Sequence, residues 1–117
     1  IILNHAGLPY DRSKEGLRNW KNAMNIISQC PNVIVKISGI GVLNSTWNKS
    51  NNEGIINYLI DKFGADRCMF GSNFPVDSLC ASYDQIVETL YECISDLTNT
   101  EIENIFYNNA IKFYNPL

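Results

Sequence analysis

The sequence lacks much of what several large classes of protein depend on. It has one histidine, no Cys-x-x-Cys pair among its four cysteines and no run of lysine or arginine, and its net charge is −3. A zinc site built from cysteine pairs is therefore excluded, and a nucleic-acid surface, which needs clustered positive charge, has no support. No apolar run approaches the roughly 20 residues that cross a bilayer. We therefore expect neither nucleic acid nor membrane among the partners.

The cysteines also lack the spacing of a disulfide framework. They are Cys30, Cys68, Cys80 and Cys93, and Cys68 and Cys93 lie inside apolar patterns, as small buried side chains do. Because disulfides follow the redox compartment, we expect four free thiols in a reducing, cytoplasmic environment. The composition, 45% hydrophobic and 18% charged, is ordinary for a globular domain.

An apolar strand, a polar turn and an amphipathic helix occur in this order three times. The predicted strands cover residues 1–4, 33–38 and 68–71. Helices are predicted from residue 13 to about 30, from about 53 to 63 and over 82–94, and a last helix begins at 98. Strands that are almost continuously apolar and alternate with helices indicate an α/β fold with a parallel sheet and right-handed crossovers.

Capping signals support these helix assignments. Ser13 is a predicted N-cap, Gly64 is a predicted C-terminal cap, and Thr98 with Glu101 forms a capping box before the last helix. Trp20 lies on the apolar stripe of the first helix and is therefore predicted to be core.

Polar side chains follow the first and third strands where each strand ends. The first strand delivers His5, and the third runs into a turn that presents Ser72, Asn73 and Asp77. The carboxyl ends of parallel strands meet at one edge of a sheet, where barrel enzymes build their active sites. We therefore predict that these side chains open onto a common cavity. The sequence starts at Ile1, inside a strand pattern, so we expect further sequence upstream.

Several motifs, in this order, resemble the C-terminal part of amidohydrolase-related proteins. They are His-Ala-Gly-Leu-Pro at 5–9, Pro-Asn-Val-Ile-Val-Lys-Ile-Ser-Gly at 31–39, Trp47, Arg-Cys-Met-Phe-Gly-Ser-Asn-Phe-Pro-Val-Asp at 67–77 and Asn-Ala-Ile-Lys-Phe-Tyr at 109–114. The similar branch contains L-fuconolactonase-like and 2-pyrone-4,6-dicarboxylate lactonase-like hydrolases. The resemblance covers residues 1–117 as one partial domain. It implies the last three βα units of a (β/α)8 barrel plus a final helix, with the other strands absent.

The resemblance implies a hydrolase of a lactone or similar cyclic ester. Its substrate would be a small carbonyl compound, anionic or sugar-derived, such as the lactone of a sugar acid or a dicarboxylate. His5 would face this substrate; a histidine that hydrogen-bonds a loop carbonyl is the alternative. Asn73 stands where the family usually has an aspartate that activates water, and an asparagine accepts no proton at neutral pH.

In this variant Asn73 would orient water or the substrate carbonyl, and Asp77 would supply the carboxylate. The structural alternatives are a turn former for Asn73 and an N-cap of the third helix for Asp77. The residues themselves favour the cap for Asp77.

Four further residues are predicted to bind substrate: Lys36, Ser38, Trp47 and Ser72. Lys36 and Ser38 share one face of the second strand, and Lys36 either binds a substrate carboxylate or forms an internal ion pair. Trp47 either covers a ring-shaped substrate or pins its loop onto the second helix.

The sequence does not decide whether a metal is used, and it allows two functions other than lactone hydrolysis. One histidine cannot provide the three protein ligands of a usual catalytic zinc site. Either His5 joins metal ligands from outside this sequence, or no metal is used. One rival is an inactive barrel piece that acts only by association, with itself as a homo-oligomer or with a complementary half, through exposed strand edges. A decarboxylase of the same superfamily is the other.

Overall fold

A three-stranded parallel sheet organises the molecule, which is described for residues 1–116 by a computed structural model. The strands, in spatial order, are β1 (Ile2–Leu3), β2 (Ile34–Ile37) and β3 (Cys68–Phe70). Ile2 pairs with Ile34, and Val35 pairs with Cys68, both in parallel register. All three strands therefore end at the same edge of the sheet, and the predicted α/β fold with a small parallel sheet is confirmed.

The helices are α1 (Lys14–Ser28), α2 (Lys49–Phe63), α3 (Tyr83–Cys93), α4 (Asn99–Glu103) and α5 (Asn109–Tyr114). A π-helical turn, Asn104–Asn108, joins α4 to α5. Among the residues described, no helix combines the length and the apolar character needed to span a bilayer.

Hydrogen bonds from capping side chains set where helices begin, and the caps predicted for α1 and α4 are present. The side chain of Ser13 accepts a hydrogen bond from the N–H of Gly16 at the start of α1. Thr98 and Glu101 form the predicted capping box at the start of α4. These bonds satisfy N–H groups that have no partner within the helix.

The start of α2 differs from the prediction, because the helix begins at Lys49 rather than near Glu53. The side chain of Asn48 accepts a hydrogen bond from the N–H of Asn51 at 2.9 Å. Asn52 is buried and its Nδ2 donates to the carbonyl of Asn48 at 3.0 Å. The first turn of α2 is thus polar, and the apolar period that reveals the helix in the sequence begins only after it.

The core lies between the sheet and the helices. Its largest buried aliphatic side chains include Val35, Ile56, Leu59, Ile94 and Ile105. Trp20 is buried, as predicted, and its indole N–H donates to the carbonyl of Ala6 at 2.8 Å. This bond ties α1 to the segment that follows β1.

All four cysteines are free thiols, as predicted. Cys68 and Cys93 are buried, and burial raises the pKa of the Cys68 thiol to about 12 and that of Cys93 to about 11. Both therefore pack as neutral side chains at physiological pH.

Arg67 ties together the edge of the sheet opposite the strand ends. Its guanidinium donates hydrogen bonds to four main-chain carbonyls, those of Ser28, Cys30, Val33 and Phe63. These carbonyls belong to the end of α1, the segment before β2 and the end of α2. Because Arg67 directly precedes β3, this network lies at the edge where the strands begin.

Candidate active site

His5 lies in a left-handed turn directly after β1. The φ angles of His5, Ala6, Gly7 and Leu8 are +54°, +52°, +67° and +59°, and the N–H of Leu8 donates to the carbonyl of His5 at 2.7 Å. Left-handed backbone is unfavourable for residues with a Cβ. The turn therefore holds His5 in one specific backbone conformation.

The imidazole of His5 reaches across to the end of β2. Its Nδ1 lies 3.0 Å from Oγ of Ser38, so its partner there is a hydroxyl and not a loop carbonyl. Gly39 has φ +56°, and a Cβ built on it would lie 2.5 Å from the same nitrogen. The absence of a side chain at Gly39 thus leaves room for the ring.

Lys36 and Ser38 lie on the same face of β2, as predicted. A Cβ at Gly71 would lie 2.9 Å from Cδ of Lys36 and 3.0 Å from Cβ of Ser38. The ammonium of Lys36 lies 5.0 Å from the centre of the Tyr114 ring, and it forms no ion pair within residues 1–116. The internal ion pair considered for Lys36 is therefore not formed by the described residues.

Asn73 and Asp77 form a hydrogen-bonded pair after β3. Nδ2 of Asn73 donates to Oδ1 of Asp77 at 2.9 Å, and Asn73 has φ +52°. The Asp77 side chain is 5% exposed, and its Oδ2 has no hydrogen-bond partner within residues 1–116. The Phe74–Pro75 peptide between them is cis.

The prediction that Asp77 caps the third helix is wrong. Ser82 caps α3, with a complete capping box that includes Gln85. Asp77 lies in a separate 3-10 turn, Val76–Leu79, and its carboxylate accepts from Asn73 instead. The predicted cap therefore lay one turn too early, because Ser82 is the residue directly before α3.

The other two predicted substrate residues make local contacts. Oγ of Ser72 accepts a hydrogen bond from the N–H of Phe74 at 3.2 Å. The indole N–H of Trp47 donates to the carbonyl of Gln85 at 3.3 Å, and the ring packs against the core. The indole N–H of Trp47 therefore ties its loop to α3, and the ring lines a cavity together with Ile56 of α2.

Two grooves lie at the carboxyl edge of the sheet. One, of about 390 Å³, is lined by Tyr10, Gly41, Val42, Leu43, Asn73, Val76, Asp77, Leu79 and Cys80. The other, of about 320 Å³, lies between α1 and α2 and includes Arg12 and Trp47 in its walls. Neither is lined by both His5 and Asn73, so the common cavity expected for those two side chains stays a prediction.

Cys80 lies at the edge of the first groove. Burial and the neighbouring charge of Asp77 raise the pKa of its thiol. A thiol of this kind is protonated at neutral pH and is a weak nucleophile. The groove therefore contains no activated cysteine that could attack a substrate.

Arg12 is the residue whose role the sequence did not reveal. Its guanidinium donates to the carbonyls of Pro9, Ile40 and Asn51, and burial lowers its pKa. It fastens the loops after β1 and β2 to α2. Main-chain carbonyls occur at every position, so no sequence signal identifies these long-range acceptors.

The described residues do not fit a catalytic metal site by themselves. Residues 1–116 contain no group of three or more His, Cys, Asp or Glu side chains that could hold a metal ion. His5 is the only histidine, and catalytic zinc usually requires three protein ligands.

Comparisons with known proteins agree with this architecture. The amidohydrolase family model matches residues 1–115. The chain is 40% identical over 114 residues to an uncharacterized protein of Sinorhizobium fredii, covering 97% of this chain and 38% of the relative. It is 34% identical over 97 residues to the L-fucono-1,5-lactonase of Burkholderia multivorans, covering 74% and 32%. It thus spans about a third of the length of each of these relatives.

A solved structure extends the match to three dimensions. The crystal structure of an amidohydrolase from Burkholderia multivorans with bound zinc superimposes with a TM-score of 0.88 at 28% identity. The superposition covers 99% of this chain and 44% of that one. The three strands and their helices therefore correspond to part of a larger α/β protein.

Proposed function

Because the chain belongs to the amidohydrolase family, we propose that it forms the C-terminal three βα units and final helix of a (β/α)8 barrel that hydrolyses a lactone. One observation carries the proposal. His5, Ser38 and the pair formed by Asn73 and Asp77 all lie where parallel strands end at one edge of the sheet, which is where barrels of this kind carry out chemistry. The similarity to an L-fucono-1,5-lactonase supports a cyclic ester of a sugar acid as the substrate class.

His5 would act on the carbonyl of the substrate. Nδ1 of His5 lies 3.0 Å from the hydroxyl of Ser38; with that hydroxyl as the donor, the imidazole proton would reside on Nε2. The Nε2–H would then donate to the carbonyl oxygen and stabilise the negative charge that develops as water adds to the carbon. The ring C–O bond would then break, and the proton that water loses would pass to the departing ring oxygen. Ser38 would in this way fix both the tautomer and the direction of the ring.

Lys36 would bind an anionic group of the substrate. Its ammonium shares a strand face with Ser38 and has no carboxylate partner within residues 1–116. Trp47 and Ser72 would contribute the loop surface around the ring of the lactone. The proposal assigns no step to zinc, since His5 alone does not form a ligand set.

The experiment uses the full-length gene product and lactones of sugar acids and dicarboxylates, with ring opening followed by the acid released. His5→Ala and Asn73→Ala are expected to lower kcat by about 100-fold, the scale of a lost oxyanion donor or a misplaced attacking group, while circular dichroism stays unchanged. Asn19→Ala, on the exposed face of α1, serves as the control. Intact turnover in both site variants would remove the assignment.

Residues 1–117 are also to be assayed alone. We expect no lactone hydrolysis from this segment, because the remaining strands of the mouth lie outside it. Clear turnover by the purified segment would contradict the partial barrel. Loss of carbon dioxide from a carboxylated substrate, without ring opening, would instead identify a decarboxylase. Activity in neither assay, for the full-length protein as well, would favour a piece that acts only by association.

A further inference from the structure

The Asn73 side chain has one orientation that suits its surroundings. Its Nδ2 lies 2.9 Å from Oδ1 of Asp77, and an ionised carboxylate only accepts hydrogen bonds. The reversed amide would place two acceptor oxygens against each other. The NH₂ group of Asn73 therefore faces Asp77, and its carbonyl oxygen Oδ1 faces away.

Asp77 is held firmly enough to impose this orientation. Its side chain is 5% exposed, and its main-chain N–H donates to the carbonyl of Asn73 at 3.0 Å. Its own carbonyl accepts from the N–H groups of Cys80 at 2.9 Å and Ala81 at 3.0 Å. Asn73 and Asp77 are thus joined by two hydrogen bonds, one between their side chains and one between their main chains.

Because Nδ2 of Asn73 bonds Asp77, the other polar atom of the amide, Oδ1, is available to the groove of about 390 Å³ that Asn73 lines. Resting on the proposed function, we infer that Asp77 is a positioning residue: it orients the Asn73 amide so that Oδ1 accepts a hydrogen bond from the attacking water. Of the two roles that the sequence left open for Asn73, this selects orienting water over donating to the substrate carbonyl.

The second carboxylate oxygen fits the same role. Oδ2 of Asp77 is buried without a partner in residues 1–116, which is costly for an ionised group. Asp77 also borders a small cavity beside Gly39 and Gly71, with about 10 Å³ open to the centre of a water molecule. That cavity is lined mainly by apolar side chains, so within residues 1–116 the amide of Asn73 is the hydrogen-bond partner of the Asp77 carboxylate.

Side-chain amide NMR tests the orientation without any need for turnover. In the ¹⁵N-labelled protein, one Nδ2 proton of Asn73 is expected to exchange with solvent about tenfold more slowly than a free amide proton. Asp77→Ala should abolish this protection. Asp66→Asn is the matched control, because Asp66 accepts from Asn104 at 3.0 Å in a second, exposed pair, and it should leave the Asn73 signals unchanged. Asn73 signals that ignore Asp77→Ala would overturn the inference.

Kinetics of the full-length protein test whether Asp77 acts through Asn73. Asp77→Ala is expected to lower kcat about 10- to 100-fold, the effect of a misplaced group, with little change in KM. Asp77→Asn retains an acceptor oxygen and should recover most of that loss. The double variant Asn73→Ala/Asp77→Ala should be no slower than Asn73→Ala alone, and Asp66→Asn should match the unmodified protein.

The outcomes separate this inference from the proposed function. A further drop when Asp77→Ala is added to Asn73→Ala would show that Asp77 acts independently and would overturn positioning. If the full-length protein hydrolyses no lactone, the proposed function fails, while the NMR result still decides the orientation. If Asp77→Ala does not fold, the spectra of Asp77→Asn and of the unmodified protein decide the orientation of the Asn73 amide.

Discussion

At the scale of the residue, Gly39 controls where the imidazole of His5 can lie. Gly39→Ala would force a Cβ into a left-handed position, at about 1–2 kcal/mol, and push that Cβ against Nδ1 of His5, which is 2.5 Å away. The same substitution in a His5→Ala background is the matched control, since it carries the same backbone strain at Gly39 but has no imidazole for the new Cβ to meet. Urea denaturation should therefore show a clearly larger loss of unfolding free energy for Gly39→Ala when His5 is present.

The comparison of the two backgrounds isolates the contact with His5. Both carry the same backbone cost at Gly39, so the difference between the two losses, expected at about 1–3 kcal/mol, measures overpacking. Equal losses would mean that the ring moves aside without resistance. The chemical shift of the imidazole in Gly39→Ala reports whether it has moved.

Residue positions were predictable from sequence only where they depend on neighbours along the chain. His5 and the polar turn that carries Asn73 lie at strand ends, as predicted, and their roles in a site stay predictions. The structural partner of Asp77 was missed, because the choice between capping α3 and binding Asn73 depends on the 3-10 turn between them. The bond from His5 to Ser38 spans 33 residues and leaves no local pattern.

At the scale of the element, Ser82 sets the start of α3. Its hydroxyl accepts from the N–H of Gln85 at 3.2 Å, and the side chain of Gln85 accepts from the N–H of Ser82 at 2.9 Å. Ser82→Ala should destabilise the protein by about 1 kcal/mol, as the loss of an N-cap does. Ser78→Ala, at an exposed position before the helix, should change stability by less than about 0.5 kcal/mol.

Thermal and urea unfolding of both serine variants measure the difference. If Ser78→Ala lowered the free energy of unfolding as much as Ser82→Ala does, the N-cap of α3 would instead lie in the 3-10 turn Val76–Leu79. The result bears on Asp77 as well, because it separates helix capping from the role of that carboxylate beside Asn73.

Element boundaries followed from the sequence where a cap and an apolar period coincide. The helices α1 and α4 have both signals and begin where predicted. The helix α3 begins where its apolar period predicts, but its cap is Ser82 and not Asp77. The helix α2 opens with a polar turn, so its apolar period starts late. The π-helical turn Asn104–Asn108 inserts an extra residue into an otherwise regular apolar pattern, and periodicity alone does not detect such an insertion.

At the scale of the whole molecule, Arg67 joins two helices and a strand through four carbonyls. Arg67→Ala should destabilise the protein by about 2–4 kcal/mol, because these half-buried acceptors lose a charged donor. Arg67→Lys should recover little, since one ammonium cannot reproduce the planar fork of the guanidinium. The midpoint of urea unfolding measures both changes.

Arg18→Ala provides the control for Arg67. Arg18 is exposed and lies 4.0 Å from Glu15 in a surface ion pair, so its removal should change stability by less than about 1 kcal/mol. If Arg67→Lys were as stable as the unmodified protein, charge rather than the geometry of the fork would hold this edge together.

The acceptors of Arg67 are carbonyl groups of the main chain, and this has a consequence for how the protein tolerates change. Every amino acid carries the same carbonyl, so positions 28, 30, 33 and 63 can exchange side chains without giving up the bonds to the guanidinium. The anchorage thus depends on the side chain of Arg67 alone, although the side chains of Ser28, Val33 and Phe63 are still constrained by their own burial.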